Sequence, residues 1–190
     1  MGTLVSTLQD GTGSGTLAKV NSANQLCTYS SNVSAMYDAT LRGDAYSWTA
    51  VTTDLAALGT ALCVVNQSAT RKLVIWEIYT YTDVPTLHKV HCPAPATWAG
   101  TATVGVNLNR EKAAVLAEAV AYGNESGNTF AAANTVFTVQ SNELATDQFG
   151  IMLSPFLGGS LILEYDDAVA VDIVADSGAF TCTISGYFID

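Results

Sequence analysis

The densest group of side chains able to do chemistry is the run His88-Lys89-Val90-His91-Cys92. Two imidazoles and a thiol so close together are the donor types that hold zinc and related ions. Their spacing works against them in an extended chain, because residues three apart in a strand point to opposite faces. Pro93 and Pro95 favour a loop, and a loop could bring His88 and His91 together. Even then only three donors are local, and no fourth is specified. The expectation is two polar loop residues beside a buried cysteine, with no metal.

The other candidates are weaker. Gly11, Gly13 and Gly15 alternate as in a phosphate loop, but no strand precedes them, no helix follows, and no Gly-Lys-Ser/Thr ending closes the motif. A flexible hinge accounts for them better. Glu164, Asp166 and Asp167 beside Tyr165 carry enough carboxylate for calcium, yet such a cluster also describes a solvated β-turn, which is the reading adopted. Arg42-Gly43-Asp44 spells an adhesive tripeptide with no other adhesive feature around it. There is no Gly-x-Ser-x-Gly elbow, and two histidines in one short segment supply no obvious nucleophile and base. The His-x-His with downstream Glu and His that barrel-shaped metal enzymes use is also missing. No catalytic residue, cofactor or metal is expected.

The elements that would carry these residues are strands. Tyr46, Trp48 and Ala50 alternate with Ser47, Thr49 and Val51, and Phe180, Cys182, Ile184 and Phe188 form one face of a last strand. Residues 72–82 are apolar on both faces, which predicts a strand covered on both sides. Residues 101–108 alternate cleanly, with Ala102, Val104, Val106 and Leu108 expected inward. Further strands are expected at 61–65, 135–140, 150–153, 161–164 and 168–174. Residues 111–121 suit either a two-turn helix after Asn109 or a strand over 115–122, and the strand is preferred. About eight short strands at such spacing predict an all-β chain, a jelly-roll-like antiparallel β-sandwich over 45–190. Residues 1–44, with their Gly/Thr/Ser run, predict an extended N-terminal arm.

Composition bounds the function. Of the 190 residues 49% are hydrophobic but only 13% charged, against about 25% charged in ordinary soluble domains. Surface so poor in charge is most simply surface covered by other protein. The net charge of −10 is uneven: every Lys and Arg lies at or before Lys112, where acids balance them, and only carboxylates follow. Such a block repels phosphate, which excludes nucleic acid as a partner. It also suggests an attachment end in the first half and an outward end in the second. The first twenty residues contain no apolar leader core, and the runs at 73–76 and 113–117 are far too short to span a bilayer, so no membrane association is expected and folding in a cytosol is. Cys27, Cys63, Cys92 and Cys182 lie far apart without a CxxC pair, and are expected as reduced thiols, with Cys27 the candidate for pairing between subunits.

Two stretches carry a resemblance. The opening Asp10-Gly-Thr-Gly-Ser-Gly-Thr-Leu-Ala-Lys-Val-Asn-Ser-Ala-Asn-Gln-Leu26 is similar to that of small structural proteins of tailed bacteriophages. So is the close, Phe156-Leu-Gly-Gly-Ser-Leu-Ile-Leu163 followed by the strands at 168–173 and 181–188. The resemblance implies a non-enzymatic capsid decoration, or cement, protein on the virion surface, assembled in the host cytoplasm. It implies a homotrimer seated on the major capsid protein or another shell protein. The arm would then bridge shell subunits, with Asp10, Gly11, Gly13, Lys19, Val20 and Leu26 as its contact residues. The alternative is a receptor- or carbohydrate-binding module on a fibre or tail, for which Trp98, between Pro95 and Gly100, is the exposed stacking candidate.

Overall fold

Phe180, Cys182, Ile184 and Phe188 are buried, and the strand that carries them (β13, Gly178–Ile189) runs through the middle of a five-stranded sheet. Its neighbours there are β3 (Ala45–Leu55) and β5 (Lys72–Thr82), flanked at the two edges by β8 (Val106–Asn107) and β11 (Phe156–Leu163). A six-stranded sheet packs against it, in the order β10 (Thr135–Gln140), β6 (Leu87–Ala94), β12 (Ala168–Ile173), β4 (Gly59–Asn66), β9 (Ala119–Ser126) and β7 (Thr101–Thr103). Every pairing is antiparallel. The protein is an all-β sandwich, as its alternating pattern predicts, with more strands than the eight expected.

The computed structural model describes residues 19–20, 26–27, 34–55, 59–82, 86–94, 98, 100–126, 132–140, 156–174 and 178–190. They divide into two units, 1–33 and 34–190. In the first, β1 (Lys19–Val20) and β2 (Leu26–Cys27) pair antiparallel. Residues 34–44, read from sequence as the end of the arm, belong to the second unit. They form α1 (Ala35–Arg42), started by Ser34, whose hydroxyl accepts from Tyr37 N, and ended by Gly43 in the left-handed conformation at φ 84°. The Arg42-Gly43-Asp44 tripeptide is thus a helix terminator.

The core between the sheets is built from both: Tyr46, Trp48, Ile75, Ile78 and Ile184 from one, Leu62, Val64, Val169 and Val171 from the other. Burying side chains of this size contributes roughly 1.5–3 kcal/mol each and outweighs any local preference. The pairings are nested. β3 pairs with β13, β4 with β12, β5 with β11 and β6 with β10, while β7, β8 and β9 are inserted between β6 and β10. Because β13 lies between β3 and β5, the acidic second half of the chain is interleaved with the first, and the two halves do not form separate ends.

Candidate interaction edge

His88 and His91 sit in a strand, β6, and not in the expected loop. The strand's pleat separates them. His88 lies in the core with its ring 5.6 Å from that of Phe180, whereas His91 meets Asp172, Oδ2 to Nε2 at 3.7 Å, and Thr135, whose Oγ1 is 3.2 Å from Nδ1. Burial drives each towards its neutral form: His88 down to about 4, His91 below its ordinary value with Lys89 adding to the effect, and Asp172 up to about 6. Among the described residues no three His, Cys, Asp or Glu side chains converge as a metal site. Glu164, Asp166 and Asp167 form a turn closed by Asp167 Oδ2, which accepts from Glu164 N at 3.1 Å, and Glu164 pairs with Lys72 at 2.7 Å.

The tryptophans are packed. Trp48 is fully buried, Trp76 stacks edge-on with Tyr187 at 6.2 Å, and Trp98 is half-buried against the cluster of Cys63, Val65, Ala94, Ala168 and Ala170. Of the arm residues, Asp10, Gly11 and Gly13 lie outside the described residues. Lys19, Val20 and Leu26 fall in the β1–β2 pair, Val20 opposite Leu26.

The departure that bears on function lies at residues 101–108. The alternation is real, but its apolar face looks outward: Val104 is 75% exposed, Val106 48% and Leu108 36%, while Asn107 is buried. The cause is topological. β7 pairs with β9 in the six-stranded sheet, and after two residues the chain continues as β8 on the edge of the five-stranded sheet. This crossing closes one margin of the sandwich. It is possible because Gly105 lies against Trp48, where a Cβ would overlap Nε1 and stand 2.9 Å from Cε2. Asn107 then turns inward, its Nδ2 donating to Gly43 O at 2.8 Å and its Oδ1 accepting from Asn109 N at 2.9 Å. A buried amide so satisfied fixes which side of the strand is inside.

Val115 and Leu116 are exposed as well, Leu116 at 72%. They are part of neither alternative weighed for 111–121. A 3-10 turn (Arg110–Lys112), capped by Asn109, leads through turns to β9, which begins at Ala119 and not at Val115. Tyr46 OH donates to Leu116 O at 3.3 Å, and Asn109 Nδ2 to Leu41 O at 3.1 Å, which ties the segment to β3 and to α1. Tyr37 and Leu41 of α1 are exposed too. Arg42, Arg110 and Lys112 stand among these side chains in the sequence, and Lys112 Nζ donates to Arg42 O.

A clamp holds this margin. Arg71 Nη1 meets Asp44 Oδ1 at 2.8 Å, Nη2 meets Glu118 Oε1 at 2.7 Å, and the guanidinium stacks 4.9 Å from the Phe188 ring centroid. Its hydrogen bond holds the Glu118 carboxyl below its usual range, and Glu118 in turn raises Arg71. One residue thus joins the turn after α1, the β4–β5 turn and the approach to β9. Compared with known proteins, the chain matches no family model, no curated protein and no solved structure.

Proposed function

We propose that the chain is a non-enzymatic structural subunit of a virus particle, of the capsid-decoration type, that oligomerises and bridges shell subunits through its N-terminal arm. The observation that carries this reading is the outward-facing apolar set Val104, Val106 and Leu108, with Val115 and Leu116 exposed in the segment that follows. Several large apolar side chains held outward on one margin, in a chain so poor in charge, suit a surface that other protein covers. We infer further that the nested pairing of β3 to β6 with β13, β12, β11 and β10 is the connectivity of a jelly roll, a long hairpin rolled into two sheets. The resemblance at Asp10–Leu26 and Phe156–Leu163 adds the tailed-phage setting. Trp48 is buried and Trp76 and Trp98 are half-buried in packing contacts, which gives the carbohydrate-binding alternative less support than the decoration reading.

The arm works by multiplicity in this reading. Each strand-like contact of residues 2–30 with a shell subunit is weak, and several arms on one oligomer raise the effective concentration of the later contacts. The test is peptide mass spectrometry on particles purified from the cells that encode the chain. The chain should be present at a copy number comparable to the shell subunit, and the same chain lacking residues 2–30 should be soluble but missing from particles. Absence of the full-length chain from particles overturns the proposal.

A further inference from the structure

The chain's two histidines are both buried on β6, on opposite faces, and both lie opposite residues of β10: Val139 is the register partner of His88 and Thr135 that of His91. Neither ring nitrogen of His88 has a hydrogen-bond partner among the described residues, and its ring lies against Phe180. His91 has Thr135 Oγ1 3.2 Å from Nδ1, a hydroxyl that β10 itself supplies. β10 is the outermost described strand of the six-stranded sheet and pairs with β6, whereas β6 is also held on its other side by β12. The hold on β10 is slight. Its ladder is interrupted between Thr135 and Phe137, Val136 and Thr138 are exposed, and Phe137 is the one described β10 side chain packed on the core.

We propose that the β6–β10 edge is an acid-released latch: when the two imidazoles take up protons, β10 leaves β6 while the rest of the sandwich stays closed. An imidazolium needs water or an anion beside it, and the closed edge supplies neither. His88 is met by Phe180 from β13 and by Ile173 in register on β12, with no charged group among the described residues that face it. His91 is met by Asp172 from β12, by Lys89 from its own strand and by the Thr135 hydroxyl from β10. Asp172 is no counter-ion in acid, because burial raises its carboxyl to about 6, and Lys89 repels an imidazolium. Loss of β10 makes β6 an edge and lets water reach both of its faces. Burial holds His88 at about 4 and His91 below 6.5, so the opened edge takes up protons before the closed one does, and closure is lost as pH falls through this window. A strand with so few buried contacts is the kind of unit that opens ahead of the whole fold. Its release leaves N–H and C=O groups of β6 unpaired, a backbone template that a strand of another chain can join. This release goes beyond the structural-subunit reading and is independent of it.

Hydrogen–deuterium exchange of the full-length chain at pH 7.5 and pH 5.0, each amide corrected for its intrinsic rate, tests the latch. Protection over Thr135–Gln140 should fall by roughly 30-fold between the two, the ratio expected for a histidine at 6.5 when solvated and about 4 when buried. Protection in β12 and β13 should change far less. His88→Leu and His91→Gln should each reduce the fall, and the double variant should abolish it. The readout is a ratio within one variant, so a uniform change in stability does not move it, and the wild-type comparison of β10 with β13 needs no variant at all. Equal loss of protection in β10 and β13 overturns the latch, since the sandwich then opens as a whole. So does protection over β10 that is the same at both pH values, or a double variant that responds as the wild type does.

Discussion

Gly105 and Trp48 touch so closely that no side chain larger than hydrogen fits between backbone and indole: a Cβ at 105 would overlap Nε1, stand 2.9 Å from Cε2 and 3.1 Å from Ala117 Cβ. Trp48 is in the middle of the core and cannot retreat. The crossing from β7 to β8 therefore depends on glycine at this point. Gly105→Ala is expected to destabilise the fold by about 1–3 kcal/mol, the usual cost of overpacking, read as a lower urea midpoint. Val104→Ala, one residue away but solvent-exposed, should change stability by less than about 0.5 kcal/mol. Equal effects at the two positions would show that the contact does not constrain the crossing.

The sandwich was legible in the sequence because period-2 alternation reports burial of one face, and in β3 and β13 the apolar set is the buried one, whereas β4 and β12 are buried on both faces. The same signal misleads at 101–108, since alternation fixes that two faces differ and not which one is inside. Val104 and Val106 point outward, and the sign of the inward face was Asn107, a polar residue with two backbone partners. Helix α1 was missed although Ser34 and Gly43 mark its ends, because its buried face comes down to Ala39. His88 and His91 fell on opposite faces by simple strand geometry, while Pro93 at the far end of β6 made the segment look like a loop. Pairing of β8 with only Tyr46 and Ser47 has no local signature at all, since it depends on where distant strands end.

Arg71 is expected to be the polar residue on which the α1–β3 corner depends most. Arg71→Ala removes two carboxylate contacts and the stacking on Phe188 together, at a cost of about 1–3 kcal/mol. Arg71→Lys should recover only part of this, because an ammonium cannot face Asp44 and Glu118 in one plane while covering an aromatic ring. The depressed Glu118 carboxyl sets the pH sense: its contribution is present above its unfolded value of 4.5 and is lost as pH falls through the lower folded value. Urea unfolding at pH 7 and at pH 4 checks both statements, and a lysine variant as stable as the wild type would count against the planar contact.

Asn66 makes a comparable demand inside the sandwich. It is fully buried, its Nδ2 donates to Arg71 O and to Leu163 O at 3.0 Å each, and its Oδ1 accepts from Ser68 N at 2.9 Å. Asn66→Ala strands these partners, for roughly 2–4 kcal/mol. Asn66→Asp should be worse at neutral pH, because a carboxylate would face two carbonyl oxygens, and should recover as the solution is acidified. Thermal unfolding of both variants across pH separates the loss of hydrogen bonds from the added charge. An aspartate variant equal to the alanine variant at every pH would refute the assignment of Nδ2 as the donor to both carbonyls.

His88 and Asp172 give the fold opposed responses to acid. Burial against Phe180 lowers His88 from 6.5 to about 4, so between those values the unfolded chain holds more protons than the folded one. Stability from this residue rises with pH across that window and is lost on acidification, by on the order of 3 kcal/mol. Asp172, raised from 3.8 to about 6, behaves in the reverse sense: the folded chain holds the extra proton, and stability falls as pH rises from about 4 to 6. The two partly cancel in the wild type, with the lowered His91 adding to the His88 side. Asp172→Asn should therefore steepen the loss of stability between pH 6.5 and 4, and His88→Leu should flatten it. The measured quantity is the slope of urea-unfolding free energy against pH, which does not depend on how well leucine repacks beside Phe180. Slopes in both variants that follow the wild type would mean that neither side chain changes its protonation when the sandwich opens.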